Sequence, residues 1–322
     1  MMANTPLSQN DQSENSYVKT SFWHTYLGLI LQLPLLVVLI VIAAIVVPIF
    51  FNPRNWFNLF LQSVPNLIMA LAIVLPVRVK GIDLSAGAVF AASACVFAYF
   101  ASENMAAPGL IIALVIGLAV GSINGTVNMF IRIPSAVLTM IVSAAVTLGV
   151  SLIIGWSVKV FWSGKPVFVV LKGLDVTAAA FGLLFLALIL VLALLYFTKL
   201  GTGGQVQKRY VFMSYAASGL LFSIAACYLV MRLNMGSPML AGSANVLYLL
   251  FAAGAIMINR SDKVRFMPVV CALLAALNWS AISNILALCG VDIFNQYMLQ
   301  FVLAAAILTP AFMVQRHSRS RS

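Results

Sequence analysis

The chain predicts an all-α polytopic membrane protein of about ten transmembrane helices with both termini cytoplasmic. Three observations predict this class. Of 322 residues, 63% are hydrophobic and only 8% are charged. A soluble domain is roughly one quarter charged and keeps a polar shell at any size. The apolar residues also form continuous runs, several of them longer than the roughly 18–20 residues that cross a hydrocarbon core as a helix. In lipid every backbone N–H and C=O must be bonded internally, which leaves helices or a closed barrel. Continuous rather than alternating runs exclude the barrel. Finally, Lys and Arg are unevenly shared between alternate loops, as the positive-inside rule requires.

The elements follow in order. Residues 1–25 are a polar cytoplasmic tail. The apolar run from Tyr26 to Phe50 is too long for a signal-peptide core and ends without a small-residue cleavage site, so it reads as a retained first span. Nine more spans are expected near 58–78, 84–101, 108–131, 134–156, 176–197, 210–231, 241–259, 266–289 and 293–314. Pro53, Gly81, Pro108, Pro134, Gly164 with Pro166, Gly201, Pro238 and Gly290 punctuate the joins. Residues 26–314 thus form one transmembrane domain, and 315–322 a basic cytoplasmic tail.

With both ends inside, Lys19, Arg78, Lys80, Arg132, Lys199, Lys208, Arg209, Arg260, Lys263, Arg265, Arg316, Arg319 and Arg321 are cytoplasmic. Arg54, Lys159, Lys165, Lys172 and Arg232 are external, a division of thirteen against five. The formal charge of +11 is therefore a topology signal and no nucleic-acid footprint, since no compact basic domain accompanies it. The longest external loop, 157–176, mixes Lys159, Trp162, Lys165 and Lys172 in a pattern suited to the outer membrane surface.

Few residues carry chemistry. Cys95, Cys227, Cys271 and Cys289 lie in or beside apolar runs without a CxxC pair and read as small packing residues. His24 and His317 lie outside the spans, so no metal cluster, cofactor site or activated nucleophile is expected. The seven acids are Asp11, Glu14, Asp83, Glu103, Asp175, Asp262 and Asp292, none of them in the middle of an expected span. Ion-driven carriers usually place a carboxylate within the membrane, and the map shows none.

Asp83 is the most informative acid. In Val79-Lys80-Gly81-Ile82-Asp83-Leu84-Ser85-Ala86-Gly87, Gly81 is suited to break one helix and Asp83 or Ser85 to cap the next. Two readings stand side by side: a capped cytoplasmic turn, and a helix break entering the interior, where irregular backbone is tolerated if it lines a cavity. A second cluster is Gly117, Gly121, Ser122, Asn124, Gly125 and Asn128. Its three glycines share one helix face and suit close packing. Asn124 and Asn128, like Asn66, Asn278 and Asn284, need polar partners inside the membrane. Each either bonds a neighbouring helix or faces a polar pathway, where amides offer donors and acceptors to an uncharged polyol.

These stretches resemble the permeases of bacterial ABC importers for ribose, galactose, xylose and related solutes. The matching strings are Asn55-Trp56-Phe57-Asn58-Leu59, Met69-Ala70-Leu71-Ala72 and Gly81-Ile82-Asp83-Leu84-Ser85-Ala86-Gly87. Gly121-Ser122-Ile123-Asn124-Gly125, Ile133 to Thr139 and Thr198-Lys199-Leu200-Gly201 are similar as well. The resemblance covers roughly residues 50–201. It implies a multi-pass protein of the bacterial inner membrane that works beside a second permease, a cytoplasmic ATPase and a periplasmic solute-binding protein. It implies a pathway lined by Asp83, Ser85, Gly87, Asn66, Asn124 and Asn128. ATPase coupling would fall to Gly201, Gly203, Gly204, Lys208, Arg209, Arg260, Lys263 and Arg265.

The chain itself has no phosphate-binding GxxxxGK[ST] loop and is expected to be neither an ATPase nor any other enzyme. The second half departs from the family. Only Thr202 to Arg209 stand where the family places its coupling loop, and the basic loop 259–265 replaces a later family motif. Two alternatives remain: a ten-helix secondary carrier of the drug/metabolite type, and an accessory membrane subunit that has lost ATPase coupling.

Overall fold

The computed structural model describes residues 22–131, 133–154, 160–161, 175–198, 200, 207–241, 243–258 and 265–292, with parts of 295–306. Among them, helices dominate: α1 (Phe22–Val46), α2 (Pro53–Arg78), α3 (Ala86–Ser102), α4 (Ala106–Phe130), α5 (Ser135–Ile154), α6 (Val176–Phe197), α7 (Lys208–Leu233), α8 (Ser243–Ile258) and α9 (Met267–Leu288). In α1 (from Gly28), α2, α4, α5, α6, α7 and α9 the helix is long and apolar enough to cross a membrane, seven in all. The chain is an all-α polytopic membrane protein. With 17 and 16 residues, α3 and α8 are shorter. The expected tenth span lies largely outside the described residues, with helical turns at 295–296 and 298–302.

The first span differs from expectation. Helix α1 starts at Phe22 and stops at Val46, and Pro48–Phe51 forms a 3-10 turn. Pro48 is the cause, because it lacks an N–H and pushes the residue before it out of the helical region. Asn52 then caps α2, its Oδ1 accepting from Arg54 N–H at 2.9 Å. At the other end of several helices the chain turns through a left-handed residue. Asn104 (φ 61°) ends α3, with Met105 N–H donating to Phe100 O at 2.8 Å. Gly290 (φ 73°) ends α9 in the same way, with Val291 N–H donating to Leu286 O at 3.0 Å.

The bundle has an inside and a lipid side. Helices α2, α3, α7 and α9 are mostly buried, whereas α1 and α5 turn most of their length outward. Ile45, Ile153 and Phe197 are exposed apolar side chains of the isolated chain. The closest pairing joins α4 to α7. A Cβ on Gly219 would lie 2.2 Å from the Gly117 carbonyl oxygen, and one on Gly121 would lie 2.3 Å from that of Tyr215. The helices touch backbone to backbone, so the glycine ladder of α4 packs. Ser93 Oγ on α3 sits 2.8 Å from Ser223 Oγ on α7 and donates to Ala113 O on α4, tying the three together.

Neutral amides join the other side. Asn55 and Asn284 exchange reciprocal hydrogen bonds of 3.1 and 3.2 Å between α2 and α9. Asn278 Nδ2 donates to the Gln32 carbonyl of α1 at 3.2 Å. The strictly helical expectation meets one exception: Val160–Phe161, inside the predicted external loop, pairs antiparallel with Met235–Gly236. The rest of that loop lies outside the described residues.

Candidate functional site

The Val79–Ser85 connection enters the protein. Helix α2 ends with Lys80 in the left-handed region (φ 61°), Lys80 N–H donating to Val77 O at 3.0 Å and Gly81 N–H to Pro76 O at 2.9 Å. Lys80, not Gly81, therefore takes the turn's unusual conformation. Gly81 is required for another reason: a Cβ there would lie 2.2 Å from Tyr215 Oη of α7. Beyond it the free backbone is satisfied by α5. Ile82 N–H donates to Ser135 Oγ at 2.9 Å and Leu84 N–H to Thr139 Oγ1 at 3.0 Å. Nonhelical backbone persists at depth only when neighbours supply such partners.

Asp83, Ser85 and Asn124 meet at the end of this break. Asp83 Oδ1 accepts from Ser85 N–H at 3.0 Å, from Ser85 Oγ at 2.6 Å and, more weakly, from Asn124 Nδ2 at 3.4 Å. Asn124 Nδ2 also donates to Ser85 Oγ at 2.7 Å. Ser85 occupies the cap position of α3 but its side chain makes no capping bond; its hydroxyl is spent on Asp83. All three side chains are buried, Asp83 and Asn124 fully so. Among the described residues, Asp83 Oδ2 and Asn124 Oδ1 have no hydrogen-bond partner. Burial pushes the Asp83 carboxyl up from 3.8 to about 6, outweighing the hydrogen bonds from Ser85 and Asn124 that favour its ionised form.

A second interruption flanks the same helix. After α7 turns at Asn234 (φ 53°), the chain runs along α3 as the Met235–Gly236 strand and a 3-10 turn over Pro238–Ala241. A Cβ on Gly236 would lie 2.6 Å from Ala94 O, and one on Gly87 would lie 3.0 Å from Ala241 O. Gly236, Ser237 and Pro238 are buried. The sequence places Pro238 at an external join; the structure lays that segment against the middle of α3. Two short helices, α3 and α8, thus each begin beside a broken stretch, and the two breaks meet at Gly87. Paired interruptions of this kind mark the binding region in many transporters.

The remaining expected site residues lie elsewhere. Asn66 Nδ2 donates to Ser280 Oγ of α9 at 3.1 Å, apart from the Asp83 cluster. Asn128 Nδ2 bonds the Asn124 carbonyl of its own helix at 2.9 Å. Among the expected coupling residues, Gly201, Gly203, Gly204, Arg260 and Lys263 lie outside the described residues. Lys208 Nζ stands 5.2 Å from the Phe130 ring centroid at the end of α4. Arg209 Nη2 donates to Tyr210 Oη at 3.0 Å, and Arg265 Nη1 to Tyr196 O near the end of α6 at 3.2 Å. Arg78 Nε donates to Leu200 O at 3.1 Å. These contacts gather Arg78, Lys208 and Arg265 at one end of the bundle.

Tyr215 was not singled out by the sequence; Ser135 and Thr139 stood only in the Ile133–Thr139 similarity, and the 234–241 segment only as a join at Pro238, none with a role at the site. The Gly236-Ser237-Pro238 string was the available signal for the last, read as an ordinary loop because breakers look alike inside and outside a protein. No protein-family model, no characterised protein and no solved structure matches the chain.

Proposed function

We propose that the chain is the permease subunit of an ABC-type importer for a sugar or similar polar solute, in the inner membrane of a bacterium. In this reading it has ten spans with cytoplasmic ends. It forms the translocation pathway with a second permease, receives solute from a periplasmic binding protein and is driven by a cytoplasmic ATPase. The observation that carries the reading is the pair of backbone interruptions flanking α3, one of which is the Gly81-Ile82-Asp83-Leu84-Ser85 string itself. Beside Gly87 lies the Ala241 carbonyl, a group that a moving helix can offer to a solute hydroxyl without any charged side chain. The cations gathered at one bundle end support a cytoplasmic face against which an ATPase docks.

Alternating access would then swing α3 and α8 against α7, closing one side of the break as the other opens. Because Asp83, Ser85 and Asn124 are buried together, their part is to hold the break, while Gly87 and the 234–241 backbone stand closer to the route. Purification of the native complex in mild detergent tests the reading: an ATPase subunit should accompany the chain, and uptake should follow ATP and ignore an uncoupler. Uptake that collapses with the proton gradient, in a preparation free of any ATPase, would replace the reading with a secondary carrier.

A further inference from the structure

We infer that Asp83 is a proton-binding site: its carboxylate takes a proton from water as the Val79–Ser85 break seals against α4, α5 and α7, and returns it when the break opens. The step makes and breaks one O–H bond and needs no other reactant.

The geometry carries this. Asp83 is wholly buried, and every hydrogen bond it accepts falls on Oδ1; Oδ2 accepts none. A buried carboxylate needs a counter-charge, a full set of donors or a proton. The groups facing it among the described residues are neutral. From α4 comes the Asn124 amide, from α5 the Ser135 and Thr139 hydroxyls beside its own segment, and from α7 the Tyr215 phenol at Gly81. From its own segment comes Ser85. Lys80, three residues away, is exposed to solvent, and Arg78 is turned to the Leu200 carbonyl.

Donors supply only one carboxylate oxygen, so the other has the proton as its remaining source of neutralisation. A metal cation fits less well. Asn124 presents Nδ2 to the carboxylate, and an amide donor repels a cation that would need several oxygen ligands. Burial also raises the proton affinity of the carboxyl, with a midpoint of about 6. The site is independent of the source of energy: a proton bound on sealing biases the break whether ATP or a gradient moves the helices.

The chain has five aspartates, Asp11, Asp83, Asp175, Asp262 and Asp292. A carboxyl-13C aspartate label in the full-length detergent-solubilised chain therefore gives a readable titration by infrared or NMR spectroscopy. One aspartate carboxyl should titrate near pH 6. Asp83→Asn, checked for a monodisperse elution profile, should remove the high signal alone. Asn124→Ala withdraws a donor from the ionised form and should move the midpoint up by about half a unit, which keeps the test open if Asp83→Asn fails to fold. The lack of any aspartate signal near pH 6, or one that survives in Asp83→Asn, overturns the inference. So does a midpoint that drops sharply when sodium replaces choline, because a metal ion would then be the occupant.

Discussion

At Asp83, burial links stability to pH. Its folded-state carboxyl titrates near 6 against 3.8 when free, so the folded chain holds the extra proton between these values. Stability from this group is full below 3.8 and is lost as pH rises through 6, by about 3 kcal/mol in all. Thermal unfolding in detergent should show a melting temperature that falls between pH 4 and 7, and Asp83→Asn should flatten that slope. Gly81 faces a steric limit instead. Gly81→Ala brings a methyl onto the Tyr215 hydroxyl, at 2.2 Å before relaxation, and should destabilise by about 1–3 kcal/mol. In a Tyr215→Phe background the hydroxyl is gone and the ring carbon that bore it stands 3.2 Å away, so much of the loss should return. An unchanged penalty there would locate the strain in the backbone.

For the elements, the seam between α4 and α7 sets the terms. Gly219→Ala drives a methyl into the Gly117 carbonyl at 2.2 Å, and backbone cannot rotate aside. A loss of about 3 kcal/mol or more is expected, read as early collapse of the monodisperse peak on heating. Gly149→Ala on α5 and Gly182→Ala on α6 meet nothing within 4 Å and should be neutral, within about 0.5 kcal/mol. Small residues decide here because helices in lipid gain little from burying apolar surface against each other, and close backbone approach supplies the attraction instead. Helix α3 is held differently: Ser223 of α7, Asn124 of α4 and the 234–241 segment grip it from separate neighbours, so its fit depends on polar groups that can exchange partners.

Across the whole molecule, charge and length give the arrangement. If the end carrying Arg78, Lys208 and Arg265 faces the cytoplasm, and the chain crosses ten times, its last residue lies on that side. A reporter enzyme fused after Ser322 should then be active only in the cytoplasm, and activity on the far side would require an odd number of crossings or the opposite orientation. The sequence by itself determined the class of protein and the position of most helices, because the solvation of backbone and side chain in lipid is a local matter that composition and run length report directly. It also marked Asp83, Ser85 and Asn124. Only the tertiary structure decided that these three meet, that Tyr215 rests on Gly81 and that the 234–241 segment lies along α3. The reason is that each depends on contacts between helices distant in the chain, and a glycine, an amide or a proline reads the same in sequence whether it faces lipid, water or another backbone.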